Sequence, residues 1–162
     1  MKTDILGSPN SRIFAYFTAE FMLRAAASIA VAFEHDYESA ILFLSVTTQN
    51  SQNIMLKRDS RQRYASLATP IDSDLMTPVS RSALSRSTGL PRETVRRKVA
   101  KMIARGLIVD TSRGLIVPRE VTDNPFYAEA LRPQAESLRR LFSMVGEQLD
   151  ALLEERVEEL VA

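Results

Sequence analysis

The segment GLPRETVRRKVAKMIARGLI, residues 89–108, constrains the fold of this chain more than any other stretch. Pro91 fits the first turn of a helix, where its missing N–H costs nothing, and Gly106 is typical of the position just past a helix end. Together they predict a helix over residues 91–105. Apolar residues recur in it every three or four positions, which predicts that one face packs against a core. These residues are Val95, Val99, Met102 and Ile103.

The same helix is strongly basic. It lies in residues 57–119, which hold fourteen basic and five acidic side chains, a net charge of +9. The flanking segments are acidic, with a net charge of −2 over residues 1–56 and −6 over residues 120–162. A localised positive charge indicates an anionic partner, and nucleic acid is the commonest one.

Turn and strand signals on both sides of this helix extend the pattern. Gly89 supplies the positive φ that a tight turn before the helix requires. After Gly106, two short apolar runs are predicted to pair as a hairpin around Thr111–Gly114. The predicted elements are a helix over 80–87, a turn over 88–90, the helix over 91–105, and strands at Leu107–Asp110 and Leu115–Val117. Helix, turn, helix and hairpin is the order of elements in a winged helix.

A family resemblance agrees with this order. The segment RSALSRSTGLPRETVRRKVA, residues 81–100, fits a helix-turn-helix position by position, and RETVRR is followed by GLI and a short hairpin. Residues 79–117 resemble the winged-helix DNA-binding domain of the catabolite-activator (Crp/Fnr) family and are also similar to that of the GntR family. Helical arms on both sides resemble the MarR layout, in which the first and last helices form the dimer. The resemblance implies a recognition helix over 91–105 in the major groove and a wing over 107–117 on the DNA backbone.

The resemblance also implies which side chains contact DNA. Arg92, Glu93 and Arg97 are expected to read bases, since a guanidinium can bond guanine O6 and N7 and a carboxylate can accept from cytosine N4. Contacts to the backbone position the protein without specifying a sequence. The residues expected to make them are Ser80, Arg81, Thr94, Arg96, Lys101 and Arg113.

Helical patterns flank this central segment. Residues 1–10 are expected to be a flexible leader, 11–57 an N-terminal helical dimerisation region with helices over 11–34 and 37–57, and 58–78 a connector. The winged-helix domain is expected over 79–118 and a C-terminal helical dimerisation region over 119–162, in which Pro133 should kink or split the helix. The apolar stripe of this last helix suits either a second chain or packing within the chain. It consists of Leu138, Leu141, Phe142, Val145, Leu149 and Leu152.

Composition argues against several other classes of protein. The chain has no cysteine and a single histidine, His35, so no disulfide, metal site or cofactor is expected. An enzyme is not expected either, because no serine lies in a nucleophile motif. No secretory signal is visible, and the apolar runs near 25–33 and 40–46 are too short to span a bilayer, so a cytoplasmic protein without a membrane partner is expected. A small-molecule effector is possible but unsupported, and the four phenylalanines that could line a cleft for an apolar ligand are expected to form core instead. These are Phe17, Phe21, Phe33 and Phe43.

The sequence therefore predicts a mainly α-helical protein with a small β-hairpin wing. The favoured function is a homodimeric, sequence-specific transcriptional regulator that binds double-stranded DNA. The alternative is a winged-helix protein used for nonspecific nucleic-acid handling or for protein assembly, as in replication or partitioning.

Overall fold

The computed structural model describes residues 11–161, apart from the side chains of residues 126, 128 and 148–161. The expected leader over residues 1–10 lies outside this range, as do the side chains of Leu149 and Leu152. The described chain is mainly helical and has a two-stranded antiparallel sheet, which confirms that part of the expectation. The elements are α1 Ser11–Ala32, α2 Tyr37–Leu56, α3 Arg58–Arg63, α4 Arg81–Thr88, α5 Arg92–Ala104, β1 Val109–Thr111, β2 Gly114–Ile116, α6 Arg119–Thr122 and α7 Pro125–Val161.

The chain divides into two compact units. One contains residues 1–29 and 131–162, and the other contains residues 30–130. The sequence-based division grouped residues 11–57 together, whereas the structure places α2 in the same unit as the central basic segment. The physical reason is that α2 packs on α4, α5 and β2, so its apolar face belongs to their core.

The core of the unit spanning residues 30–130 is built around α2. Ile41 and Thr48 belong to a stripe at helical spacing along α2, yet both are exposed. The face that the structure buries is rotated from that stripe and is carried by Ala40, Leu42, Phe43, Val46 and Ile54. The apolar residues of α2 lie on more than one side of the helix, so its periodicity did not decide which face turns inward. Residues of the following elements complete the core: Val79, Leu84, Val95, Val99, Met102, Ile108, Leu115 and Val117.

Two aromatic contacts close this core near the start of α2. The rings of Phe33 and Phe43 lie 5.4 Å apart between centroids, and Tyr127 meets Phe43 edge-on at 6.3 Å. Phe33 and Phe43 are both buried. Within this unit the two phenylalanines therefore form part of the core, as expected for them.

The connector between α2 and α4 is more ordered than the sequence indicated. It contains the six-residue helix α3, whose sequence RDSRQR is polar all round. A helix without an apolar side has no hydrophobic periodicity, so the sequence pattern could not reveal it.

The unit formed by residues 1–29 and 131–162 contains most of α1 and α7. Helix α7 runs without a break through Pro133, so the expected split is wrong. A proline removes one backbone donor, and the remaining hydrogen bonds of a 37-residue helix keep it continuous. Within this unit Glu20 of α1 pairs with Arg24 at 3.0 Å and with Arg140 of α7 at 3.5 Å.

Helix α1 has more apolar surface than its own unit covers. It is 22 residues long, with a mean hydropathy of 1.3 in its most apolar window, so by length and composition alone it could cross a membrane. Core helices and signal sequences share that property. The expectation that no apolar stretch is long enough to span a bilayer therefore does not hold for α1, because Arg12, Glu20 and Arg24 interrupt its apolar run only sparsely.

Candidate nucleic-acid interface

The turn between α4 and α5 is fixed by hydroxyl groups and one glycine. Gly89 ends α4 in the left-handed region at φ 72°. A residue without Cβ adopts this conformation without strain, which explains why a glycine stands here. The Ser85 hydroxyl donates to the Leu90 carbonyl at 2.7 Å, and the Thr88 hydroxyl donates to the Leu84 carbonyl at 2.7 Å. Pro91 then holds the backbone extended immediately before the first helical residue, Arg92, so the helix begins one position later than expected. The two helices thus meet at a rigid corner.

Helix α5 has a buried face and an exposed face. Val95, Val99 and Met102 are buried and seat the helix on α2 and α4. Glu93, Arg97 and Lys101 follow one another at intervals of four residues on the opposite side, and all three are exposed. The expected division between a seating face and a charged face is therefore present, although Lys98 departs from it.

Lys98 is a cation on the buried side of α5. Its ammonium lies 2.6 and 2.7 Å from the two carboxylate oxygens of Asp36, which precedes α2, and 3.2 Å from Glu38. Partial burial alone would raise the pKa of Asp36, but the hydrogen bonds from Lys98 and Ser39 outweigh it and hold the pKa at about 2. The same hydrogen bond to Asp36 raises the pKa of Lys98. The ion pair fixes α5 to the start of α2.

We expect this ion pair to make the unfolding free energy depend on acid pH. Because the pKa of Asp36 falls from 3.8 to about 2 on folding, its contribution is present above pH 4 and disappears as the pH falls towards 2. The contribution is up to about 2 kcal/mol, since one pKa unit corresponds to 1.36 kcal/mol. Asp36→Asn keeps a side chain that can cap α2 but removes the charge. Denaturant titrations should show the largest difference between the two proteins at pH 7 and almost none at pH 2, whereas a difference independent of pH would contradict this role.

Glu93 and Arg96 form an ion pair on the exposed surface of α5. The Arg96 guanidinium donates to both carboxylate oxygens of Glu93, at 2.6 and 2.9 Å. These hydrogen bonds lower the pKa of Glu93, with further help from the charges of Arg96 and Arg97. Glu93 is therefore already paired without DNA. To accept a hydrogen bond from a base it would have to release Arg96.

The hairpin β1–β2 lies against the strand-like residue before α4. Val79 and Leu115 exchange two backbone hydrogen bonds, of 3.1 and 2.9 Å. Gly114 has φ 132°, and a Cβ placed there would lie 3.0 Å from the Val79 carbonyl oxygen. Any side chain at this position would therefore push the hairpin away from residue 79. Strand β1 begins two residues later than expected, because Ile108 is buried in the core. Strand β2 begins one residue earlier than expected.

The hairpin tip carries Arg113 towards the connector. Its guanidinium lies 3.4 Å from the Ser73 carbonyl oxygen and 3.7 Å from the Asp74 carboxylate. At the base of the hairpin, Arg81 donates to Asp110 at 2.8 Å. Ser80 has a local role, since its hydroxyl oxygen accepts from the Ala83 amide and caps α4. Thr94 is half-buried on α5.

Asn50 is a buried side chain that sequence reasoning missed. Its amide nitrogen donates to the carbonyls of Thr77 and Leu115, at 2.9 and 3.2 Å, and its side-chain oxygen accepts from the Val117 amide at 2.9 Å. One residue of α2 thereby holds the connector, the middle of β2 and the residue that follows β2. The available signal was its spacing, four residues from Val46 and four from Ile54, which places a polar group within an apolar stripe.

The cations of the basic segment separate into paired and unpaired groups. Six of the fourteen have a carboxylate partner: Arg81, Arg96, Lys98, Arg105, Arg113 and Arg119. The other eight have none among the residues that the structure describes. Four of these eight lie on α4 and α5: Arg86, Arg92, Arg97 and Lys101. Two of the three residues expected to read bases, Arg92 and Arg97, therefore carry free guanidinium groups, and the third, Glu93, does not have a free carboxylate.

Comparisons with protein-family models, with curated proteins and with solved structures found no match to this chain. Its function therefore has to be inferred from the geometry and charge of these residues.

Proposed function

We propose that this protein is a homodimeric, sequence-specific DNA-binding regulator of transcription. In this proposal residues 79–117 act as a winged helix, with α5 in the major groove and the hairpin β1–β2 as the wing on the DNA backbone. The observation that carries the proposal is the set of unpaired cations on a helix whose other face is seated in a core. The major groove admits an α-helix, and unpaired exposed guanidinium groups are available to guanine and to phosphate.

The rigid corner between α4 and α5 supports reading of bases as well as attraction to phosphate. A side chain can discriminate between bases only if its backbone is held in a fixed position relative to the groove. The hydroxyl contacts of the turn, the buried valines and the Lys98–Asp36 pair all restrain α5. Arg97 lies opposite the middle of the buried face and is proposed as the principal base contact. Arg92 is proposed as a second contact at the amino-terminal end of the helix.

Selection of bound duplexes from a random pool tests this function. We expect a conserved sequence to emerge that contains at least one guanine whose identity depends on Arg97. If the pool is retained without enrichment of any sequence, the protein binds DNA without reading it, and the nonspecific-handling alternative replaces this proposal. If no DNA is retained at low salt, the winged helix serves protein assembly.

Exposed apolar side chains support the homodimer. Among the described side chains of the unit formed by residues 1–29 and 131–162, five large apolar ones are exposed, and exposed apolar surface of this kind is typical of interaction sites. They are Tyr16, Met22 and Leu23 of α1 with Leu138 and Phe142 of α7. We propose that a second copy of the chain covers them, because a symmetric partner presents the same apolar surface.

Sedimentation at micromolar concentration tests the dimer. We expect a dimer for the unaltered protein and a monomer for Phe142→Asp, since Phe142 is 67% exposed in the single chain and a charge there would be buried by a partner. Leu67→Asp is the matched control, because Leu67 is 60% exposed but lies in the connector. A monomer for the unaltered protein, or binding of α1 to lipid vesicles that Leu23→Asp abolishes, would contradict the dimer.

A further inference from the structure

The unpaired cations form a second cluster outside the proposed interface. Four of the eight lie on α4 and α5, and the remaining four lie on α3 and the residue before it. These four, the α3 cluster, are Lys57, Arg58, Arg61 and Arg63. All four are exposed, and Asp59 is the one acidic residue between them. The α3 cluster thus concentrates as many unpaired cations into seven residues as α4 and α5 hold together.

Helix α3 presents these charges on an ordered surface. Backbone hydrogen bonds join Arg61 to Lys57 at 2.8 Å and Tyr64 to Ser60 at 3.0 Å, and the helix packs on α2. The Arg63 guanidinium lies over the ring of Tyr64, 5.5 Å from its centroid. Like charges held this close repel one another, so an anionic partner would relieve the repulsion.

The α3 cluster lies beside the hairpin. Lys57, Arg63 and Leu75 line one open groove of about 340 Å³. Two residues before Leu75, the Ser73 carbonyl accepts from Arg113 at the hairpin tip. Consecutive Cα atoms are about 3.8 Å apart. The Cα atom of Ser73, which contacts the hairpin tip, therefore lies within roughly 8 Å of the Cα atom of Leu75, which lines the groove. The groove of α3 and the residue that contacts the hairpin tip therefore lie close together on the connector. Acidic side chains stand there beside the basic ones, since Asp59 also lines the groove and Asp74 faces Arg113.

We infer that α3 is a second DNA-contacting element, which binds phosphates of the same duplex beyond the wing. This inference rests on the proposed function. Helix α3 suits phosphate because its sequence, RDSRQR, supplies guanidinium groups and no apolar side chain. Guanidinium groups bind phosphate in bidentate geometry. A helix without an apolar side lacks the face that would insert into a bilayer or form the core of a protein interface.

Removing two of the arginines tests the inference. Arg58→Gln combined with Arg61→Gln removes two charges that have no partner in the fold. We expect the slope of log affinity against log salt to fall by about two units, because each phosphate contact contributes about 0.9. At 0.1 M salt this corresponds to a roughly 10- to 100-fold loss of affinity for random and selected duplexes alike.

A matched control separates a contact from a general effect of charge. Arg12→Gln combined with Arg139→Gln removes the same charge from two exposed side chains of α1 and α7, outside the basic segment. We expect this control to keep the salt slope within half a unit of the unaltered protein. Equal losses for the two double variants would show that only net charge matters and would overturn the inference.

The length of the duplex supplies an independent readout. Shortening the duplex from the wing side should weaken the unaltered protein until its affinity equals that of the Arg58→Gln/Arg61→Gln variant, which itself should not respond to the trimming. If the unaltered protein binds DNA but trimming affects both proteins equally, α3 makes no contact and the proposed function stands without it. If neither protein binds any duplex, the proposed function fails as well. Loss of binding to vesicles of phosphatidylglycerol without any loss on DNA would make α3 a membrane-binding surface and overturn the inference.

Discussion

Replacing Asn50 by alanine should lower the unfolding free energy by about 2–4 kcal/mol, because a buried group left unpaired costs about 1–3 kcal/mol. The substitution leaves the Val117 amide without its acceptor and removes one donor each from the carbonyls of Thr77 and Leu115. For a domain of this size the melting temperature should fall by roughly 5–15 °C. Thermal and denaturant unfolding measure the effect directly.

Asn53→Ala is the matched control for Asn50→Ala. Asn53 lies one turn further along α2, is exposed, and makes a side-chain hydrogen bond of 2.8 Å to the Thr77 hydroxyl. An exposed hydrogen bond of this kind contributes within about 0.5 kcal/mol. If both variants unfold at the same denaturant concentration, the hydrogen bonds of Asn50 do not hold the hairpin. Hydrogen exchange at the Val117 amide should accelerate in Asn50→Ala and remain slow in Asn53→Ala.

Arg97→Ala and Glu93→Ala should change DNA binding in opposite directions on random duplexes. Loss of Arg97 should weaken binding to the preferred site by roughly 5- to 150-fold, the range for a lost bidentate contact to guanine, and relax the preference at one guanine. Loss of Glu93 should leave random binding equal or stronger. It removes a negative charge, and it also frees the Arg96 guanidinium, now paired at 2.6 Å, to bind phosphate.

The two variants are compared on the selected duplex and on a random duplex at fixed salt. Glu93→Gln serves as the control for Glu93→Ala, because it loses the charge but keeps the length of the side chain. We expect a steeper salt dependence for Glu93→Ala, by up to about one unit, since one more cation is free for phosphate. If Arg97→Ala and Glu93→Ala lose affinity in parallel on both duplexes, α5 binds DNA without discriminating between bases.

The sequence predicted those elements that local signals determine. Gly89 and Pro91 bracket the turn between α4 and α5, and Gly106 follows the end of α5, so the bounds of the two helices were expected to within one or two residues. The mainly helical composition with one hairpin followed from the same signals. Backbone preferences of glycine and proline act on their immediate neighbours and need no knowledge of the rest of the chain.

Contacts over long sequence separations could not be predicted in the same way. Lys98 lies on the buried side of α5, and its ammonium pairs with Asp36, 62 residues earlier, a partner that no local pattern indicates. The pairing of Glu93 with Arg96 is local and was available from their spacing of three residues. The expectation that Glu93 contacts a base did not include this ion pair.

The grouping of helices into units also lay beyond the sequence. Helix α2 was assigned with α1 because the two are adjacent in the chain, yet its buried face packs on α4, α5 and β2. A helix stripe shows that a face is buried but not which neighbour covers it. Helix α3 illustrates the opposite case, because a polar helix leaves no stripe to detect.

The long-range hydrogen bonds of Asn50 and Asp36 limit which segments of this chain can be transferred into a chimeric protein. Both residues precede the segment 79–118, and they hold its hairpin and its second helix. A chimera that moved only this segment onto another oligomerisation module would leave those anchors behind. The portable cassette is therefore the whole compact unit of residues 30–130, which also includes Phe33 and Tyr127, the two rings that pack on Phe43. Under the proposed function, substitutions that alter sequence preference while sparing the scaffold are confined to the outward positions of α5 that are proposed to contact bases, Arg92 and Arg97.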